Sequence, residues 1–114
     1  PQPFHTMDQT YPGDLPDTVT AAIRIGFRRL SEPAQRILTA AAALGERVES
    51  ETLSAATGLE AAMVTGGLDE LEWNRWMAAD AFGYSFVARI VRDVIARDML
   101  TPGQRLRIQE AART

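Results

Sequence analysis

Four arginines, Arg24, Arg28, Arg89 and Arg92, are the side chains of this sequence best suited to chemistry between molecules. Each presents a planar fork of donors that matches a carboxylate or a phosphate. All twelve basic residues are Arg and none is Lys. In an Ala-rich chain that bias is what GC-rich coding produces, so the arginine count alone does not signal anion recognition. The four positions are candidate interdomain contacts, read against the ordinary background of solvated or acid-paired arginines. Covalent chemistry has little to work with. There is no Cys, hence no disulfide and no thiolate metal site, and the single His, His5, lies near Pro3 in a Pro-rich N-terminal stretch. Without Lys the phosphate-cradling pattern GxxxxGK[ST] is missing, and no nucleophile can be set beside a base. The expectation is a non-enzymatic segment with no catalytic, cofactor-binding or metal-ligating residue.

A second feature sets shape against charge. The stretch from Glu51 through Gly58 to Leu71 has the outline of a helix-turn-helix, yet its second helix carries Glu60, Asp69, Glu70 and Glu72 and no cation as far as Asn74. A helix that enters the DNA major groove runs between two rows of phosphates and normally brings Arg or Lys to them. The net charge of -3 and a pI of about 5.1 also disfavour nucleic acid and anionic membranes as partners. No apolar run approaches the ~20 residues of a membrane span, and the N-terminus lacks the parts of a signal peptide. A cytoplasmic domain is expected.

The elements that must position these residues follow from periodicity. Residues 1–15 hold Pro1, Pro3, Pro12 and the Tyr11-Pro12-Gly13-Asp14 turn signal, and read as a linker. Asp17 caps a helix to about Leu30, with Val19, Ile23, Phe27 and Leu30 inward and Arg24 and Arg28 on the other face. Ser31-Glu32-Pro33 opens a second helix whose stripe of Ala34, Ile37, Leu38, Ala41 and Leu44 ends at Gly45. Arg47-Val48-Glu49 suits a short edge strand. Ser50 is expected to cap a brief helix that Gly58 ends, with Leu53 and Ala56 inward. From Glu60 to Trp73 the inward positions are Ala61, Val64, Leu68 and Leu71, while Met63, Gly66, Gly67 and Glu70 turn away or to the flanks.

Trp76 to Ala79 and Tyr84 to Phe86 flank Asp80-Ala81-Phe82-Gly83, a hairpin signal that predicts a two-stranded wing, with Trp73 and Trp76 sealing the core edge. Val87 to about Met99 predicts a helix that buries Val87, Ile90, Val91, Val94 and Ile95 and pairs Asp93 with Arg97 at i,i+4. Thr101-Pro102-Gly103 begins a last helix through Leu106 and Ile108. The fold class is therefore mainly α: a winged helix-turn-helix over 16–100 with a small β-hairpin wing and flanking helices, then the start of a further helical region over 101–114.

Several phrases in this order, Leu15-Pro-Asp-Thr-Val, Arg29-Leu-Ser-Glu-Pro-Ala-Gln-Arg-Ile-Leu, Ala41-Ala-Ala-Leu-Gly, Leu68-Asp-Glu-Leu, Tyr84-Ser-Phe and Ile90-Val-Arg-Asp-Val, carry a family likeness across most of the chain. The sequence resembles the winged-helix region of bacterial multidomain signal-transduction ATPases, which include LuxR-type and antibiotic-regulatory-type transcriptional activators. The resemblance implies a place between an ATPase module and helical repeats. It implies a non-catalytic role, packing on the nucleotide module and holding an inactive state until an inducer or partner releases it. ATP or ADP would reside on that adjoining module, and no cofactor in this segment. DNA binding in such proteins generally belongs to a separate terminal domain; a DNA-binding winged helix is the alternative. The family commonly ends its wing in Phe-x-His, whereas this chain has Phe86-Val87-Ala88, and Ala88 has no donor for a phosphate.

Overall fold

The computed structural model describes residues 17–45 and 47–113. The linker expected over residues 1–15, with His5, lies outside the described residues. Six helices and one hairpin follow in the order α1 (Asp17–Arg28), α2 (Glu32–Leu44), α3 (Ser50–Thr57), α4 (Ala61–Trp73), β1 (Met77–Asp80), β2 (Gly83–Phe86), α5 (Arg89–Asp98) and α6 (Pro102–Ala112). The protein is mainly helical, with a small antiparallel sheet of two strands.

The centre is α2. Its Ser31 cap accepts from the Ala34 N–H through the side chain, Pro33 fits the first turn where no N–H is needed, and Gly45 ends the helix at φ 128°. The stripe read from the sequence is buried here, with Leu44 only partly so. Because α3, α4, α5 and α6 all pack on α2, its small residues Ala34, Ala40 and Ala41 leave room for neighbours on several sides. Leu53 of α3, Val64, Leu68 and Leu71 of α4, and Val94 and Ile95 of α5 are fully buried around it.

Two left-handed turns steer the chain. Gly58 ends α3 at φ 77°, its N–H bonded to the Ser54 carbonyl, and this turn sends α4 off at an angle. At the end of α4 the left-handed residue is Arg75, with φ 65°. The Arg75 N–H donates to the Glu72 carbonyl and the Trp76 N–H to the Leu71 carbonyl at 2.8 Å, a Schellman closure that costs about 1 kcal/mol in a residue with a Cβ. The turn swings Trp76 back against the body, where its ring lies over Gly26. Trp73, one residue before the turn, is left 88% exposed. The expectation that both tryptophans seal the core edge therefore holds for Trp76 alone.

The hairpin pairs Met77 with Phe86 and Asp80 with Gly83 around the two-residue turn Ala81-Phe82, in which Asp80 Oδ1 accepts from the Phe82 N–H at 2.7 Å. Gly83, at φ 139°, lies so close to Val48 that a Cβ would fall 2.6 Å from the Val48 carbonyl oxygen. That approach lets Val48 exchange two backbone hydrogen bonds with Tyr84, at 2.7 and 2.8 Å. The edge strand expected at Arg47-Val48-Glu49 thus narrows to a single bridge on the outer side of β2.

Other departures have local causes. Val19 is exposed, and Thr20 takes the inward place in register with Ile23 and Phe27. Ser50 is the first residue of α3 rather than its cap; Glu49 holds the cap position and makes no side-chain cap bond. Ala61 is exposed because α4 meets the core only from Val64 onward. Val87 faces solvent because its N–H donates to the Trp76 carbonyl at 3.0 Å and extends the ladder, so strand alternation, not helical spacing, orients it opposite Phe86. Leu106 points outward while Ile108 on the same helix packs on the core. α6 docks on α2 and α3, and Gln109 Nε2 donates to the Ala43 carbonyl at 3.0 Å. Arg97 closes on the adjacent Asp98 through Nε and Nη2, a pairing that i,i+4 spacing did not suggest.

The double glycine of α4 also resolves into two different roles. Gly67 faces inward, where a Cβ would come 2.4 Å from Ile37 Cδ1, so its missing side chain lets α4 approach α2. Gly66 has open space around it. Gly66→Ala is expected to raise stability by about 1 kcal/mol through helix propensity alone, read as a higher urea midpoint with an unchanged slope.

Candidate functional site

The four arginines singled out in the sequence do not form one group. Arg24 of α1 donates through Nη2 to Asp98 Oδ2 at 2.8 Å, tying α1 to the C-terminal end of α5. Arg28 is exposed in the last turn of α1. Arg89 and Arg92 lie in the first turns of α5, and the rise of a helix places Arg89 roughly 13 Å from Asp98 along the axis. Asp98 accepts from Arg97 as well as Arg24, and these charge-assisted bonds, Arg97 first, outweigh partial burial and hold its carboxyl down to about 2 from 3.8. That cluster fastens two helices together within the chain.

Arg89 and Arg92 border a hollow of about 270 Å3 with Arg47, Ser85 and Phe86. Arg47 is the member that helical spacing missed. Its place beside Val48, which pairs with β2, brings it to the turn end of the hairpin, where Nη2 lies 2.8 Å from Asp80 Oδ2. Asp80 is held below the ordinary carboxylate range mainly by the Phe82 N–H, with Arg47 adding its charge. The Arg92 side chain is mostly buried, with Nη2 3.8 Å from Asp93 Oδ1. Three guanidinium groups around one depression suit an anionic surface or carboxylate-bearing partner. Ala88, at the cap position of α5, makes no side-chain cap bond.

The second surface is the outer side of α4. Ala62, Gly66, Asp69 and Trp73 recur at intervals of four, three and four residues and are all exposed, with Met63 and Glu72 beside them. Gly66, Asp69, Glu70, Glu72, Trp73 and Asn74 line an open groove of about 660 Å3. Glu70 is engaged within the fold: its carboxylate accepts from the Ser31 N–H at 2.9 Å and from the Ser31 hydroxyl at 2.6 Å, bracing the start of α2. Across the hairpin, burial and then the charges of Glu72 and Asp69 raise the Tyr84 phenol above its ordinary value. The two carboxylates therefore act together as a negative field on this side.

Among the described residues no helix is long and apolar enough to cross a membrane, and no group of three or more His, Cys, Asp or Glu is placed to hold a metal ion. Comparison with protein-family models, with curated proteins and with solved structures gives no match for this chain.

Proposed function

We propose that this chain is a winged-helix regulatory domain of a multidomain ATP-dependent transcriptional regulator, a non-catalytic relay between an ATPase module and a helical-repeat sensor. The order α2, the Val48 bridge, α3, α4 and the β1–β2 hairpin supports the winged-helix reading, with α3 and α4 as the helix-turn-helix and the hairpin as the wing. One observation carries the functional choice: the outer side of α4 presents Asp69, Glu72 and Trp73 and no cation. Such a helix repels phosphates and suits a protein partner. Cytoplasmic placement and ATP or ADP on the neighbouring module belong to the same proposal. The arginine hollow supplies the candidate contact to that module. A second reading, a DNA-binding winged helix, is favoured only by Arg47 and Arg89 beside the hairpin, where a wing can meet a phosphate backbone.

A regulatory domain shifts an equilibrium only through contacts that differ between its two states. In a full-length parent of this organisation, Arg92→Ala is expected to shorten ADP retention and raise basal activity, and Ala88→His to lengthen ADP retention. Arg24 is left intact because it holds α1 to α5. If Arg92→Ala and charge reversal at Arg28, Arg89 and Arg92 together leave both quantities unchanged, docking through these arginines is refuted.

A further inference from the structure

From the groove on α4 we infer a docking site for a cationic polypeptide segment, one that lays an arginine on Trp73 and sets its charge between Asp69 and Glu72. The inference deepens the regulatory reading and rests on it. Three features of the groove agree. The Trp73 ring is almost wholly in water although the adjacent turn folds Trp76 inward, so the chain spends a large aromatic on its surface. Gly66 lies one turn before Asp69 and Glu70 and has nothing within reach of a Cβ, which leaves space for the aliphatic part of a bound side chain to come near the helix backbone. Glu70 is committed to Ser31, whereas Asp69, one helical turn before Trp73, and Glu72, adjacent to it, jointly perturb Tyr84.

A guanidinium satisfies all three features. Its planar face stacks on the indole, its edge donors reach carboxylates, and its methylenes cover apolar surface. A neutral apolar segment would bury Asp69 and Glu72 without compensation, and an anionic one would be repelled. The first sixteen residues of the chain hold Asp8 and Asp14 but no Arg or Lys, so they do not provide the occupant. The partner is accordingly another segment or protein with exposed arginine.

The test is calorimetric titration of the whole 114-residue chain with a short amidated amphipathic peptide of Ala, Leu and Arg. Controls are the same peptide with citrulline in place of Arg, and a random-sequence DNA duplex. Saturable binding of the Arg peptide is expected at roughly micromolar concentrations. It should be about tenfold weaker or more for the citrulline peptide, for Asp69→Asn with Glu72→Gln, and for Trp73→Ala. These positions are exposed, so circular dichroism should remain that of the wild type. Absence of saturable peptide binding overturns the site, as does binding that all these variants leave unchanged. If the duplex binds instead, the regulatory reading falls as well; if neither ligand binds, only the docking site is lost.

Discussion

Leu68→Ala is expected to lower the free energy of unfolding by ~2 to 5 kcal/mol, measured by urea denaturation. Leu68 is 1% exposed and sits on the inward side of α4, in the core with Ile37, Leu38, Val64 and Leu71. Removing its branched end forfeits transfer energy and leaves a cavity whose walls belong to different elements. Local collapse is restricted at this point because Gly67 already brings α4 against Ile37, leaving little slack for the helix to move closer. The upper half of the range is therefore the more natural outcome. A loss below about 1 kcal/mol would mean that this part of the interface repacks freely, contrary to the close approach at Gly67.

Acid should loosen α1 before it disrupts the core. Asp98 has a carboxyl held at about 2 against an ordinary 3.8, and its side chain is only 12% exposed. A carboxyl whose folded value is depressed stabilises the fold above its unfolded value, and that contribution disappears as the pH falls through the folded one. The window is thus from about pH 4 down to about pH 2. The contribution is on the order of 1 to 2 kcal/mol, after allowing for the exposure of Arg24 and Arg97. Asp98→Asn is expected to lower stability at neutral pH by a similar amount and to flatten the dependence in that acidic window. Hydrogen exchange should show the loss first in α1, since Arg24 is its ion-pair link to α5. An Asp98→Asn protein that keeps the wild-type acid profile would assign that profile to other carboxylates.

The parts of the fold legible in the sequence are those with several turns of one periodic signal. The α2 stripe and its Ser31, Pro33 and Gly45 punctuation agree with the structure nearly residue for residue. Periodicity was less informative where an element has few partners or changes its period. Val19 and Leu106 are apolar at plausible spacing, but α1 and α6 each bury only part of their surface, and composition does not say which part. Val87 belongs to the last step of an extended ladder, so counting it into the following helix reversed its direction. The two tryptophans were separated by a left-handed Arg75, a conformation that a non-glycine residue does not advertise. For the site, Arg89 and Arg92 were visible as neighbours on one helix, whereas Arg47 joins them only through the Val48–Tyr84 bridge. Arg24 was separated from them by a tertiary partner, Asp98, far along the chain.

The turn at Arg75 gives the protein two optical probes with different sensitivities. Trp76, packed over Gly26 at the junction of α1 and the hairpin, emits from an apolar setting and should shift to the red when the body opens. Trp73, already in water, changes little on unfolding but should shift to the blue when something covers α4. With Trp73→Phe and Trp76→Phe proteins, unfolding and surface occupancy can be followed by the direction of a spectral shift, without an added label.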